Sequence, residues 1–235
     1  MVYHIFYFPF HLLFLSMAHF SHHSEENYLK TLFKLETNAS VKVNNIALAK
    51  ALELNPATVL EMVRKLADRK LLQVQKDKTI HLTEKGRKKA LLTTRKHRLW
   101  EVFLVEKLNY KWNEVHDLAE QLEHIESKDL TDRLEAYLDN PTFDPHGDPI
   151  PDKRGKIRNT NSIQLASGVT GQSYTVLNLA DTSDAFLEYL GKLNIKPGIK
   201  IKLKEKQEYD QSCVVEVNKK SIHLSEKAAI NIMVH

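Results

Sequence analysis

Apolar positions recur at helical spacing through the first 140 residues of the chain. In SEENYLKTLFKLE they fall on one face, as in an amphipathic helix. VNNIALAKALEL predicts a second helix. NPATVLEMVRKLADRKLL predicts a third, with Asn55 as its N-cap and Pro56 in the first turn, where proline is tolerated. Two short helices separated by about three residues predict a helix-turn-helix.

Alternating apolar residues follow this pair of helices. LLQVQ and TIHLT flank a polar turn at residues 76–78 and predict a small hairpin, which would make the helix-turn-helix a winged one. Next, TEKGRKKALLTTRKHRLWEVFLVEKL predicts a long helix capped by Thr83. Two more helices are predicted, over residues 115–125 and in SKDLTDRLEAYL.

The chain changes character near residues 140–155, where four of its seven prolines cluster. Such a stretch cannot continue a helix and indicates a linker. After it, the short β-rich runs QSYTVLNLA, KIKLKEK, SCVVEVN and KSIHLS predict a small β-barrel. The predicted fold is therefore mainly α with a small β domain. The predicted segments are an apolar extension (1–20), a winged helix-turn-helix (21–83), a helical domain (84–140), a Pro-rich linker (141–160) and the β domain (161–235).

The N-terminal extension, MVYHIFYFPFHLLFLSMAHF, contains neither Lys nor Arg, and Pro9 interrupts an apolar run that is short for a membrane span. It therefore predicts neither a secretory signal nor a membrane anchor. We expect translation to start at Met17, which the intact mass of the native protein would test. The single cysteine, Cys213, excludes a disulfide framework and a Cys-rich zinc site, and fits the reducing cytoplasm.

Charge is distributed unevenly along the chain. Residues 61–98 contain 13 Lys and Arg against 4 Asp and Glu, and residues 113–148 contain 2 against 11. The first segment suits a polyanion and the second suits cations or a basic partner. A recognition helix places its N-terminal residues at base edges, while basic side chains hold phosphates. The candidate DNA-binding residues are Asn55, Ala57, Thr58, Glu61, Arg64, Lys65, Lys76 and Lys78.

The acidic segment includes LAEQLEHIES, in which Glu120, Glu123 and His124 are spaced three and four residues apart. On a helix this spacing brings the three side chains to one patch, and two carboxylates with an imidazole suit a divalent metal. Taken alone, the same pattern also fits a solvated acidic face with a chance histidine.

These elements, in this order, resemble the diphtheria toxin repressor and manganese transport regulator family of metal-dependent bacterial repressors. The resembling motifs are EENYLKTLFKL, TEKGRKKALLTTRKHRLWEVFL, VHDLAEQLEH and NPTFDPHGDPIP, and the β domain looks like that family's SH3-like, FeoA-type domain. The resemblance implies a cytoplasmic homodimer that represses metal-uptake genes. It would bind double-stranded operator DNA when Mn²⁺, or alternatively Fe²⁺, occupies a site between the first helix and the later helices, and no organic substrate is expected.

The resemblance also assigns metal ligands residue by residue. Glu123 and His124 match the family's Glu-His pair, and His97 matches a family metal-binding histidine. Glu120 matches a position held by Cys in iron-type members and by Glu in manganese-type members. A carboxylate in place of a thiolate hardens the site, which favours Mn²⁺ over Fe²⁺.

The family's first-helix ligand falls on Asn27, whose amide oxygen can coordinate a metal, so Asn27 completes the predicted ligand set. Three further positions are weaker matches, and the first of them, Glu26, is adjacent to Asn27. Glu84 matches an ancillary ligand of the family, although the histidine expected four residues earlier is Ile80. Glu101 lies one turn after His97 and shares its helix face.

Two rivals come from other classes. A metallohydrolase would need an open coordination position in a cleft and a general base, and the sequence marks neither. We therefore expect a protein that is not an enzyme. A winged-helix regulator that senses another ligand or a partner is the alternative, and its DNA binding would be indifferent to chelator.

Overall fold

The computed structural model describes residues 25–37 and 42–235, so the predicted extension and the Met17 start lie outside the described part of the chain. The chain forms two compact units that divide between Thr93 and Thr94. Among the described helices, none is long and apolar enough to cross a membrane.

The N-terminal unit is the predicted winged helix-turn-helix. Asn44 caps α2 by accepting hydrogen bonds from two backbone N–H groups, and Asn55 caps α3 in the same way through Ala57 N. Glu53 adopts a left-handed conformation (φ 55°) that ends α2, so the chain turns within three residues. The helices are α1 (25–37), α2 (Asn45–Leu52) and α3 (Pro56–Asp68).

The wing is the antiparallel hairpin β1 (Leu72–Val74) and β2 (Ile80–Leu82). Ile80 N also donates to Val43 O, so the segment before α2 extends the hairpin. Helices and wing share one apolar core, which includes Leu29, Leu48, Val59, Leu66 and Ile80.

Helix α4 (Glu84–Leu108) begins against the wing and continues past Thr93. The Thr83 hydroxyl caps it by accepting from Gly86 N, and donates in turn to backbone carbonyls of the turn before β1. A Cβ at Gly86 would lie 1.8 Å from Leu71 O. Only glycine permits this close approach of the helix to the wing.

In the C-terminal unit, the later turns of α4 share an apolar core with α6 (Lys128–Tyr137). They contact α5 (His116–Leu122) through the rings of His97 and His116. Helix α5 is shorter than the predicted 115–125. Glu123 is its C-cap with helical dihedral angles, and His124 follows it. The prediction that both residues lie within the helix was therefore wrong, although the helical geometry at Glu123 preserves its proximity to Glu120.

The Pro-rich segment, interpreted from the sequence as a linker, packs onto α4 over its first half. Asp144, His146 and Ile150 are all buried, and Ile150 joins the core formed with Leu99 and Val102. The segment therefore contributes to the packed structure of the unit.

The β domain is a six-stranded antiparallel sheet with strand order β3-β8-β4-β5-β6-β7. A closed barrel was predicted, but among the described strands no pairing joins the edge strands β3 and β7, so the sheet is open there. Helix α8 contacts both of these edge strands. The elements are β3 (Ile163–Gln164), β4 (Ser173–Leu179), α7 (Asp184–Lys192), β5 (Lys200–Lys206), β6 (Cys213–Val217), β7 (Lys220–Leu224), α8 (Glu226–Asn231) and β8 (Ile232–Val234).

Candidate metal centre

His97 is the centre of the candidate site. It lies on the buried side of α4 and is 7% exposed. Its Nδ1 lies 2.6 Å from Oε2 of Glu123, and its Nε2 lies 3.0 Å from Oε1 of Glu101, one helical turn further along α4. Each ring nitrogen therefore faces a different buried carboxylate.

The Nδ1 side of His97 faces the acidic patch predicted from the sequence. One ligand atom each from His97, Glu120 and Glu123 lie within 4.8 Å of one another, and we name these residues the first cluster. Glu123 is fully buried, and His124 Nε2 lies 3.8 Å from its Oε1. The structure thus brings together His97, Glu120, Glu123 and His124, which are four of the five residues predicted as the main ligands. The fifth, Asn27, belongs to the N-terminal unit.

Glu101, predicted to share the His97 face, leads to a second group of ligands. Its Oε2 lies 3.7 Å from Nδ1 of His146, and Asp144 completes a set of ligand atoms within 4.8 Å. We name Glu101, Asp144 and His146 the second cluster. His116, on the first turn of α5, joins His97 and Glu101 in a third overlapping set.

Burial and hydrogen bonding set the ionisation of the second cluster. Burial disfavours the charged form of Glu101, but hydrogen bonds from His116, His146 and His97 outweigh it and hold its pKa well below the usual value. Burial also disfavours charged His146, but its hydrogen bond to Glu101 and the nearby charges raise the pKa of His146 to about 9. Burial raises the pKa of Asp144 to about 7, against the charge of Arg98. A cation would therefore displace a proton from His146.

The donor set fits Mn²⁺ or Fe²⁺. Both clusters offer only carboxylate oxygens and imidazole nitrogens, which these metals accept, and neither contains a thiolate. On α1, the Asn27 side-chain oxygen is buried and has no hydrogen-bond donor among the described residues. Glu26 beside it is also buried.

Glu84 does not join these clusters. It is exposed on the first turn of α4, and the three sets found among the described residues omit it. The resemblance predicted a histidine four residues before Glu84, where the chain has Ile80. A His and Glu pair with this spacing does occur on α4, at His97 and Glu101. The assignment of Glu84 therefore has no geometric support.

Sequence reasoning missed His116, Asp144 and His146. A signal existed for each. His116 precedes Glu120 by four residues, which is one helical turn. Asp144 and His146 belong to DPHGD, a run of acids and an imidazole inside the segment interpreted as a linker.

The predicted DNA-binding residues lie along α3, from its N-cap Asn55 to Lys65, and on the wing turn. Ala57, Thr58 and Arg64 are exposed, as are Lys76 and Lys78 of the turn. Asn55 uses its side-chain oxygen to cap α3.

Lys65 and Glu61, one turn apart on α3, form an exposed ion pair of 2.9 Å. A hydrogen bond from Lys65 lowers the pKa of the Glu61 carboxyl. A DNA base would therefore have to compete with Lys65 for the Glu61 carboxylate.

Three family models match successive parts of the chain. The DNA-binding domain of the iron-dependent repressors matches residues 21–80, and their metal binding and dimerisation domain matches residues 83–152. The FeoA domain matches residues 163–235.

Relatives and solved structures are similar to different lengths of the chain. The iron-dependent repressor IdeR of Mycobacterium tuberculosis is 40% identical over 126 residues, which are 54% of each chain, so the match spans about half the length of these curated relatives. A solved manganese-dependent transcriptional repressor in complex with manganese is 33% identical, with a TM-score of 0.80 over 89% of this chain and 98% of that one. A probable metal transport system membrane protein of Chlamydia trachomatis is 43% identical over 75 residues, 32% of this chain and 17% of that protein.

Proposed function

Because the chain belongs to the iron-dependent repressor family, which includes the diphtheria toxin repressor, we propose that it is a metal-activated transcriptional repressor and not an enzyme. The observation that carries this proposal is the first cluster. Three ligand residues converge in a unit that follows a winged helix-turn-helix, and the pairing of a cation site with a DNA reader is what a metal sensor requires.

Mn²⁺ is the proposed activating metal, with Fe²⁺ as the alternative. Glu120 provides a hard oxygen donor where iron-type members of the family would provide a thiolate, and the similar structure over nearly the whole chain is described as a complex with manganese. The relative IdeR, described as iron-dependent, matches over half of the chain. Ligand type and coverage therefore both favour manganese.

We propose two ions per subunit. The first cluster and the second cluster share no residue, so each can hold an ion with its own ligands. His97, Glu120, Glu123 and His124 would hold one ion, while Glu101, Asp144 and His146 would hold the other. A bound divalent ion supplies positive charge that fixes these buried acids and imidazoles in one arrangement. Asn27 remains a proposed ligand from α1.

Operator DNA and a second copy of the chain are the proposed partners. The tip of α3 would enter the major groove, and Arg64, Lys65, Lys76 and Lys78 would contact phosphates. A dimer would engage two half-sites about 34 Å apart, or a multiple of that spacing. For a near-complete switch, metal must bind the DNA-competent form about 5.5 kcal/mol more tightly than the other form.

Genes of metal uptake are the proposed targets. Support comes from the Chlamydia trachomatis protein, in which a segment similar to this chain belongs to a polypeptide named for metal transport. We also propose a cytoplasmic location, and domain boundaries near residues 83, 140 and 160 as the sequence predicts.

Binding of chelator-treated protein to promoter DNA of a metal-uptake gene tests the proposal. Fluorescence anisotropy is measured at fixed salt during separate titrations with Mn²⁺ and Fe²⁺. We expect DNA binding to appear with metal and to be lost in Glu123→Ala and His124→Ala, and we expect both variants to retain the fold. DNA binding that ignores metal and chelator would instead establish the alternative, a winged-helix regulator that senses another ligand or a partner.

A further inference from the structure

Two of the three ligands of the second cluster lie on an irregular loop, residues 144–148, which we call the DPHGD loop. The loop is tied to itself, because Oδ1 of Asp144 accepts hydrogen bonds from the backbone N–H groups of His146 (2.8 Å) and Asp148 (3.0 Å). These bonds fix its shape. They do not fix its position relative to Glu101, which lies on α4.

One external anchor comes from α4. The Arg98 guanidinium donates to Asp148 Oδ2 (2.9 Å) and to the carbonyl of Pro149 (2.6 Å), and its Nε lies 3.3 Å from Asp144 Oδ2. All three nitrogens of this side chain therefore engage the DPHGD loop and the residue after it. Bidentate guanidinium contacts restrict both distance and orientation.

The second anchor comes from strand β4 of the β domain. Asn178 Nδ2 donates to the other carboxylate oxygen of Asp148, at 2.9 Å. Gly147 lies against the strand so closely that an added Cβ would be 1.8 Å from Leu177 O. The pairing of β4 with β8 shifts register between Val176 and Asn178, and such a bulge redirects side chains and exposes the backbone. The bulge therefore occurs where β4 meets the loop.

A third contact fixes the imidazole itself. His146 Nε2 donates to the Trp112 carbonyl (2.8 Å), which leaves Nδ1 facing Glu101 and Asp144. The Trp112 ring stacks on His146 at 6.0 Å and also packs against the core of the β domain. The β domain thus supports both ligands of the loop.

We propose that strand β4 positions the second cluster for metal binding, with Asn178 as the positioning residue that acts through Asp148. Asn178 is not itself a ligand in this role. It shares Asp148 with Arg98, so the loop is held between β4 and α4 with Asp144 and His146 directed at Glu101. This inference rests on the proposed function, because it assumes that the second cluster binds a metal ion. Loss of such an outer partner typically weakens metal binding about 10- to 100-fold.

Asn178→Leu is the informative substitution. It removes the hydrogen bond to Asp148, and it also removes Asn178 Oδ1, a buried oxygen without a hydrogen-bond donor among the described residues. Removing a buried oxygen that has no donor offsets part of the stability lost with the hydrogen bond, so we expect the variant to fold. Thr175→Val, on the same strand and away from the loop, is the matched control. Mn²⁺ binding to the full-length, chelator-treated chain is measured by isothermal titration calorimetry, together with the electron paramagnetic resonance spectrum of bound Mn²⁺ and the melting temperature without metal.

For wild type and Thr175→Val we expect two Mn²⁺ ions per chain. For Asn178→Leu we expect a dissociation constant about tenfold higher at one of the two sites, an altered resonance spectrum, and a much smaller change at the other site. Glu123→Ala should weaken Mn²⁺ binding at that other site. The two variants together would show which binding constant belongs to which cluster. Unchanged binding at both sites in Asn178→Leu would overturn the positioning role, as would equal weakening at both sites with a lower metal-free melting temperature. A wild-type chain that takes up no Mn²⁺ would overturn the proposed function as well.

Discussion

Replacing Glu123 by Gln removes one negative charge from the centre of the first cluster while keeping its shape. The side chain is fully buried and lies 2.6 Å from His97 Nδ1. Removing one partner of a buried charge pair costs about 3–5 kcal/mol. If the pair is Glu123 and a bound ion, the lower value corresponds to a roughly hundredfold higher dissociation constant, since each tenfold is about 1.4 kcal/mol.

This weaker binding can be measured as a change in melting temperature. At free Mn²⁺ about 100 times the wild-type dissociation constant of the first cluster, an ion bound there stabilises the wild-type protein by about 2.7 kcal/mol. For Glu123→Gln the same concentration only equals the dissociation constant of that cluster, and its contribution falls to about 0.4 kcal/mol. At about 2–4 °C per kcal/mol for a chain of this size, the first cluster should contribute about 5–11 °C to the Mn²⁺-induced rise in the wild-type melting temperature and about 1–2 °C to that of the variant, while the second cluster should contribute equally to both.

Differential scanning calorimetry with and without Mn²⁺ provides the measurement. Glu106→Gln is the matched control, because Glu106 is an exposed acid on α4 outside the three ligand sets. It should keep the full Mn²⁺ shift. A Glu123→Gln protein that keeps the wild-type shift would refute the assignment of Glu123 as a ligand.

Other consequences concern the wing, the close packing of α4 and the charge of His146. The double substitution Lys76→Ala and Lys78→Ala should weaken operator binding. It should also reduce the slope of log affinity against log salt concentration by about 0.9 for each phosphate that is no longer neutralised. An unchanged slope would exclude both lysines from phosphate binding. Gly86→Ala should lower the free energy of unfolding of the N-terminal unit by about 1–3 kcal/mol, because its Cβ meets a backbone carbonyl, and equal stability in urea would contradict this. Because folding raises the His146 pKa to about 9, its stabilisation of metal-free protein is complete below pH 6.5 and lost as pH rises through 9. His146→Gln should therefore flatten the melting temperature between about pH 6.5 and about pH 9.5, and a variant that retains the wild-type profile would exclude this residue as its source.

Local rules predicted those parts of the molecule that local chemistry determines. Asn55 and Pro56 marked the start of α3, and the turn at 76–78 marked the wing, because capping and turn formation involve residues close in sequence. The acidic excess of residues 113–148 also indicated a region suited to cations or to a basic partner, and the first cluster lies partly in this region. Half of the candidate site was therefore visible in the sequence.

The second cluster could not be predicted in the same way. Glu101 and His146 are 45 residues apart and meet only because the Pro-rich segment folds back on α4. Proline content correctly excluded a helix there, but it carries no information on where an irregular segment packs. The missing pairing between β3 and β7 was not predicted for a similar reason. The spacing of strands along the chain does not reveal whether the two edge strands pair with each other or are covered by a helix.

The two ring nitrogens of His97 face different carboxylates, which has a consequence for how the protein reports metal concentration. If Nδ1 held an ion beside Glu123, the ring proton would reside on Nε2, where it would donate to Glu101 and fix one oxygen of the second cluster. Binding at the first cluster would thus prepare the second cluster. We expect a Hill coefficient above 1 for Mn²⁺ binding, so that the protein responds over a narrow range of metal concentration.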